Sequence, residues 1–392
     1  MISLRPYSAL LARAELRYLF TASVIGRLPI GMTGLAILLL VQGASGSFVS
    51  AGAAGGSFVA GLACTAPALG RLIDRHGPRL ILLACAALFP ASLCALVATV
   101  SAGAAPLAVV ACAAAAGASF PPITVCMRTY LRRQHGDQAG LTIAYSLDSV
   151  LIELMFIVGP MLVALFVAYA SASAAVGFAA ACGAIGVLLF LRADALRNWR
   201  VVPRGATTLL GPLGEPRFVA LIGLVVCYSV AFGMIEVGLP AYAAEAGRPA
   251  LAGVLLGLMS IGSALGGLTY GSRGWRGPLM RQFSLMIGLM GIGLALLAAP
   301  WSVPAFAALS FLAGMVMAPT LIIQSMLIAT TARAEHTAEA FTWSTSALLA
   351  GVASGIILGG ALVEAWRSPA AMVAAGGAAL VAAAAAWMLA RR

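Results

Sequence analysis

Gly70-Arg71-Leu72-Ile73-Asp74-Arg75-His76-Gly77-Pro78-Arg79 is a short, basic, glycine-flanked stretch between two long apolar runs. Residues 48–69 before it and 80–101 after it hold no charged side chain. As a helix rising about 1.5 Å per residue, each run is long enough to cross a hydrocarbon core of about 30 Å. The stretch therefore reads as a tight charged hairpin joining two membrane helices at one surface of the bilayer.

Composition agrees. The chain is 62% hydrophobic and 9% charged, whereas a soluble domain carries about 25% charged residues. Only a surface facing lipid tolerates so few. The net charge of +11 would suit nucleic acid by number, but its placement excludes that partner, as shown below. All 23 basic residues are arginine. A lysine-free, alanine-rich chain points to a GC-rich bacterial genome.

Outward from the hairpin, the apolar runs number twelve: 18–41, 48–70, 80–101, 106–128, 139–168, 172–191, 217–243, 250–271, 282–300, 303–330, 338–363 and 369–390. Connections are short except in the middle, where residues 192–216 carry Arg192, Arg197, Arg200 and Arg204 with Pro203, Pro212 and Pro216. The expected organisation is a six-helix half over 1–191, a cytoplasmic linker over 192–216 and a second six-helix half over 217–392. Twelve crossings put both ends on one side. That side collects 20 of the arginines, against two, Arg248 and Arg367, on the other, with Arg27 inside a span. The asymmetry predicts cytoplasmic termini in the inner membrane. The basic excess then lies against anionic lipid headgroups and needs no nucleic acid. The first run, of about 24 residues, exceeds the ~7–15 of a signal-peptide core and contains Arg27, so the chain is expected to stay in the membrane uncleaved.

A faint internal repeat accompanies this division. Glu15 and Arg17 align with Glu215 and Arg217, and Gly159 with Gly359, at an offset of 200. Gly70, Gly77 and Arg79 align with Gly267, Gly274 and Arg276, and Gly117 and Pro122 with Gly314 and Pro319, at 197.

Charges within a membrane helix are costly and face a partner or a water-filled path. Four stand out. Glu153 lies mid-helix on a polar stripe of Thr142, Ser146, Ser149, Glu153 and Pro160, one face of a helix by spacing. Two roles are open to it: a carboxylate that gains and loses a proton in use, or one sealed in a helix–helix contact by a hydroxyl or arginine. Asp148, five residues earlier, points about 140° away around the helix, so the two cannot meet one spot. Asp148 orients a neighbouring helix or serves function. Glu236 shares a face with Ser229 and Phe232 in the seventh run, for transport chemistry or a gate salt bridge. Arg27 is too deep to snorkel and needs an anion: Asp148, Glu153 or an anionic substrate. One plus and three minus in this set favour protons or organic cations.

Other chemistry is sparse. The seven cysteines all fall in apolar runs without a Cys-x-x-Cys spacing, which favours packing over metal or redox roles. His76, His135 and His336 lie in expected loops. No Walker loop suggests nucleotide-driven work, and no nucleophile–base pair or metal cluster suggests an enzyme. No cofactor is expected; a proton gradient is the expected energy source.

The hairpin resembles the loop between helices 2 and 3 of the major facilitator superfamily, Gly-x-x-x-Asp-(Arg/Lys)-x-Gly-x-(Arg/Lys). Gly70, Asp74, Arg75, Gly77 and Arg79 match it. The resemblance implies an all-α polytopic membrane protein, two six-helix halves related along the membrane normal. It implies that Gly70 permits close packing, that Asp74 meets the N-terminal end of helix 11, and that Arg75 braces Asp74. The second-half copy is worn, with Gly271 at the aspartate position. Proton-coupled exporters of this superfamily carry a helix-4 arginine, here Ala113, and a helix-5 glycine run ending in Gly-Pro. Gly159-Pro160 remains of that run, with Met155 in place of a glycine.

The expected function is secondary active transport of a small organic molecule by alternating access, as proton-coupled efflux. The alternatives are proton-coupled uptake, uniport, or a receptor that keeps the fold without moving anything. Site residues on this reading are Glu153, Glu236, Arg27, Asp148, Ser149 and Ser146. The expected partners are substrate, protons and lipid, and the expected state is a monomer.

Overall fold

The computed structural model describes residues 5–45, 48–134, 137–197, 199, 211–248, 251–273, 275, 277–299 and 301–391. Most of the 192–216 linker, including Arg200, Pro203 and Arg204, lies outside these residues, as do His135, Gly274, Arg276 and Arg392.

The N-terminal half runs α1 (Arg5–Ala12), α2 (Ala14–Ser45), α3 (Phe48–His76), α4 (Pro78–Ser101), α5 (Pro106–Ala118), α6 (Ile123–Gln134), α7 (Gln138–Tyr169) and α8 (Ala172–Leu191). After the short α9 (Asp194–Arg197), the second half runs α10 (Pro216–Glu245), α11 (Leu251–Ser272), α12 (Leu279–Leu296), α13 (Val303–Gly314), α14 (Met317–Thr331) and α15 (Thr337–Leu389). Among the described residues, eleven helical stretches, counting α5–α6 and α13–α14 as one each, are long and apolar enough to cross a membrane. The last divides at Trp366 and Arg367, where φ is −139° and 66°. Two arms result, and the crossings number twelve. Large apolar side chains such as Leu107, Ile357 and Leu80 stand exposed at 78%, 72% and 67%, a surface made for lipid.

Crossings 4 and 10 each break at mid-depth. Pro121 and Pro122 lack the N–H that a continuous helix needs, so α5 stops at Ala118 and α6 begins at Ile123. Pro319 likewise leaves Met315 without its helical donor, and α13 gives way to α14 there. The 197-residue offset thus marks a shared architectural feature. For crossings 2 and 8, α3 and α11, the register differs from the sequence alignment. A Cβ on Gly61 would lie 2.2 Å from the Ala114 carbonyl oxygen, and one on Gly262 would lie 2.1 Å from that of Phe311. Gly117 meets Phe58 as Gly314 meets Met259. These contacts relate α3 to α11 by 201 residues. Gly70 therefore corresponds to Gly271 rather than Gly267, and Asp74 to Trp275.

Sequence periodicity does not pick out α1. It runs under the bundle and reaches the other half, its Tyr7 hydroxyl donating to the Leu268 carbonyl at 2.9 Å. Burial pushes the Tyr7 phenol up to about 12, so this link stays protonated across the physiological range.

Candidate functional site

The two halves meet along two seams on the face that carries both ends of the chain. In the first, the end of α3 packs on the start of α15. A Cβ on Gly70 would lie 2.3 Å from Thr342 Oγ1, so any other residue holds the helices apart. Gly77 has φ 81°, a left-handed conformation that suits glycine, and its N–H bonds to the Ile73 carbonyl at 2.9 Å. That turn aims the end of α3. Asp74, 5% exposed, then accepts the N–H groups of Ala338 at 3.1 Å and Glu339 at 2.8 Å. These are orphan donors of the first turn of α15, whose own N-cap residue, His336, makes no side-chain cap bond. Asp74 thus caps a helix of the other half, and the partial positive charge at that helix end favours its carboxylate.

Arg75, expected to brace Asp74, is instead exposed and makes no ion pair among the described residues. Arg71 takes a gate role, its Nε and Nη2 both donating to Glu339 Oε1 at 3.0 and 2.7 Å. Arg132 adds bonds to Thr337 Oγ1 and to the Ala332 carbonyl, at 2.5 and 2.8 Å. Arg79 is exposed.

The second seam, α7 against α11, is the symmetry mate of the first without its clamp. Gly271 lies where Gly70 lies in the first; its Cβ would fall 2.1 Å from Ser146 Oγ. Trp275 replaces the aspartate, and α7 caps itself, Asp137 accepting the Gly140 N–H at 2.9 Å. Above Ser146, Val150 faces Gly267. One helical turn further in, Ser263 Oγ donates to Glu153 Oε1 at 2.8 Å and accepts the Ala318 N–H at 3.1 Å. The break in crossing 10 therefore has a consequence: the N-terminus of α14 is capped by Ser263, which in turn holds Glu153. Glu153 is half-buried. Ser346 Oγ bonds the Ala63 carbonyl at 2.7 Å in the first seam.

Asp148 points away from Glu153, into the N-terminal half, as the 140° separation requires. It is fully buried, accepts from Arg27 Nη1, and accepts from Arg128 Nε at 2.9 Å. Of the partners open to Arg27 by sequence, the structure selects Asp148 and adds Arg128 to the group. Arg128 lies at the C-terminal end of the fourth apolar run, 106–128. Its reach inward from α6 depends on side-chain direction, which sequence spacing does not give. Ser149 is buried beside this group, and its hydroxyl has no hydrogen-bond partner among the described residues. Gly159 packs on Gly31 of α2, its Cβ falling 2.5 Å from the Gly31 carbonyl carbon, with Pro160 next in the helix.

Glu236 lies apart from all of these. Val230 and Gly233 of α10 face α15, and Tyr228 reaches Gln324 of α14. Glu236 projects between those directions and is exposed. Gly34 of α2 is also exposed, with open space where a Cβ would be. The inter-half bonds named above all lie between mid-depth and the face bearing the chain ends. Glu236 and Gly34 lie toward the opposite face.

Twelve membrane helices in two pseudo-symmetric halves, with a carboxylate at their mid-depth seam, define a membrane transporter. A sequence profile of the Major Facilitator Superfamily matches residues 19–280, and the chain belongs to that superfamily. No curated protein sequence matches the chain. Among solved structures it resembles a bacterial homologue of the iron transporter ferroportin in an outward-facing state, with TM-score 0.81 and 14% identity over 97% of this chain and 100% of that one. It also resembles the human organic anion transporter MFSD10, with TM-score 0.72 and 16% identity over 94% and 99%. The E. coli fucose:proton symporter FucP gives TM-score 0.71 and 13% identity over 96% and 97%. At such identities the likeness is one of fold.

One prediction concerns the clamp. Asp74→Asn keeps a single acceptor, so one of the two first-turn donors loses its partner, at a cost of about 1 kcal/mol. The population of this clamped conformer is expected to fall about fivefold relative to its alternative. Spin labels at Ala104 and Ala246, on the opposite face, should report shorter distances. Unchanged distances with unchanged flux would mean that the clamp does not set the equilibrium.

Proposed function

We propose that this transporter is a proton-coupled exporter of a small organic molecule. It works as a monomer in the inner membrane by rocking its halves between two arrangements. The twenty-to-two arginine asymmetry supports cytoplasmic termini. On that orientation the clamped seams close the cytoplasmic side, and the arrangement described is outward-facing. The observation that carries the reading is the Glu153–Ser263 bond. It joins a carboxylate to the opposite half across a seam that must part whenever the cytoplasmic side opens. A proton on Glu153 alters that contact, so proton binding and rocking share one bond. Export is favoured over uptake by the Gly159-Pro160 remnant in α7. No cofactor enters; substrate, protons and surrounding lipid are the partners.

Flux in proteoliposomes with and without a pH gradient is the test. Transport that ignores the gradient would make the protein a uniporter. Topology is checked separately, in a background without the seven native cysteines. A cysteine at Arg192 should react with impermeant maleimide only in opened cells, and one at Arg248 in intact cells. The reverse pattern would invert the orientation and with it the direction of export.

A further inference from the structure

Arg27 is the most demanding buried group in the molecule. It is 1% exposed, at mid-depth in α2, and uses only Nη1, on Asp148. Its Nε and Nη2 are buried and bond to nothing among the described residues. These two atoms form one edge of the guanidinium, with N–H groups parallel and spaced to receive both oxygens of a carboxylate. At the gate, Arg71 directs the same Nε/Nη2 edge at Glu339. In Arg27 that edge is unused.

The local charge is incomplete in the same sense. Arg27 and Arg128 share the single carboxylate of Asp148, which leaves the group at plus one. An unbalanced charge at this depth is costly and calls for a counter-anion. Glu153 does not supply it here, being turned about 140° around α7 and bound to Ser263. The exposed position nearest to Arg27 along its own helical face is Gly34. Gly34, seven residues on, falls on nearly the same helical face about 10 Å further out, and is exposed beside open space. Arg27 itself is 1% exposed, and Gly31 between them packs on Met155 of α7, so a molecule at Gly34 reaches the Arg27 edge only when α2 and α7 part there. Arg128 thus adds a second positive charge at this depth, and the three carboxylates lie in separate places, Asp148 here, Glu153 on Ser263 and Glu236 apart from both.

We infer that the unused edge of Arg27 receives the carboxylate of the transported molecule, which makes the substrate class a small organic monoanion. This rests on the transporter reading above. A carboxylate suits the site better than phosphate, because the missing charge is one.

The test is binding to purified full-length protein in nanodiscs, read as the thermal unfolding midpoint. The probes are sodium formate, formamide, sodium chloride and sodium phosphate, the salts at matched ionic strength. Formate is expected to raise the midpoint saturably, and the other three are not. The formate shift should disappear in Arg27→Gln and persist in Arg192→Gln, which alters an exposed arginine. No formate shift in the wild type would overturn the inference. So would an equal response to formamide, which would mark a merely polar pocket. An equal response to chloride or phosphate would mark an unselective charge and count equally against it. A shift retained in Arg27→Gln has the same force. Should Arg27→Gln fail to fold, Arg27→Lys keeps the charge but loses the parallel N–H pair, and most of the shift should go; full retention overturns the inference. Binding is read without flux, so failure here leaves the transporter reading standing. Absence of flux with the formate shift intact would remove only that reading.

Discussion

Replacing Glu153 with glutamine is expected to abolish gradient-driven accumulation while leaving substrate exchange intact. The physical reason is that glutamine keeps the Oε1 acceptor for Ser263, which lies 2.8 Å away, but has no proton to release. The seam still closes, the fold is retained, and the coupling step is missing. One pH unit is worth about 1.4 kcal/mol per proton, or tenfold in concentration. With one proton exchanged per substrate, wild-type vesicles made acidic inside by about one unit should accumulate substrate about tenfold. Glu153→Gln vesicles should reach no more than equality. Counterflow under equal pH should persist, since exchange needs no net proton release. Glu236→Gln is the comparison, as Glu236 is exposed and outside both seams. If Glu236→Gln loses the accumulation and Glu153→Gln keeps it, the proton rides on the other carboxylate. If both keep it, coupling resides in neither.

Asp148→Asn is expected to be the most damaging single change to stability. Asp148 is fully buried and is the shared acceptor of Arg27 and Arg128. Removing its charge leaves two guanidinium groups facing one another without a counter-anion. Breaking a buried ion pair from one side costs about 3–5 kcal/mol. Unfolding in mixed detergent micelles should show a loss in that range. Adding Arg27→Gln to Asp148→Asn should recover part of it, because the orphan cation goes with its partner. A single variant as stable as the wild type, or a double variant worse than the single, would show that the triad is not held together by charge.

The hairpin at 70–79 was legible because its chemistry is local. Gly77 takes a conformation that few residues tolerate, and Asp74 sits at a fixed distance from it along α3. The twelve crossings were legible for a different reason: lipid solvates no backbone, so each crossing must be one long apolar run. Where the sequence misled, side-chain direction or three-dimensional register was at issue. Arg128 reaches inward to Asp148, and Arg75 turns outward while Arg71 takes the gate bond. Helices α3 and α11 align at 201 because backbone contacts at Gly61 and Gly262 fix them, and single glycine matches cannot distinguish neighbouring turns in so glycine-rich a chain.

The sequence by itself determined that the chain spans a membrane twelve times, in two repeated halves. It also determined four of the ionisable groups that lie at depth, Arg27, Asp148, Glu153 and Glu236, though not Arg128, since hydrophobicity and length are summed along the chain and need no partner. Tertiary structure alone decided how those groups pair. Asp148 and Glu153 share one helix, yet one closes an ion triad inside the first half and the other reaches a serine of the second. That difference arises from which helix packs on each side of α7. The spare edge of Arg27 is of the same kind: a donor is left over only when every neighbour around it is known.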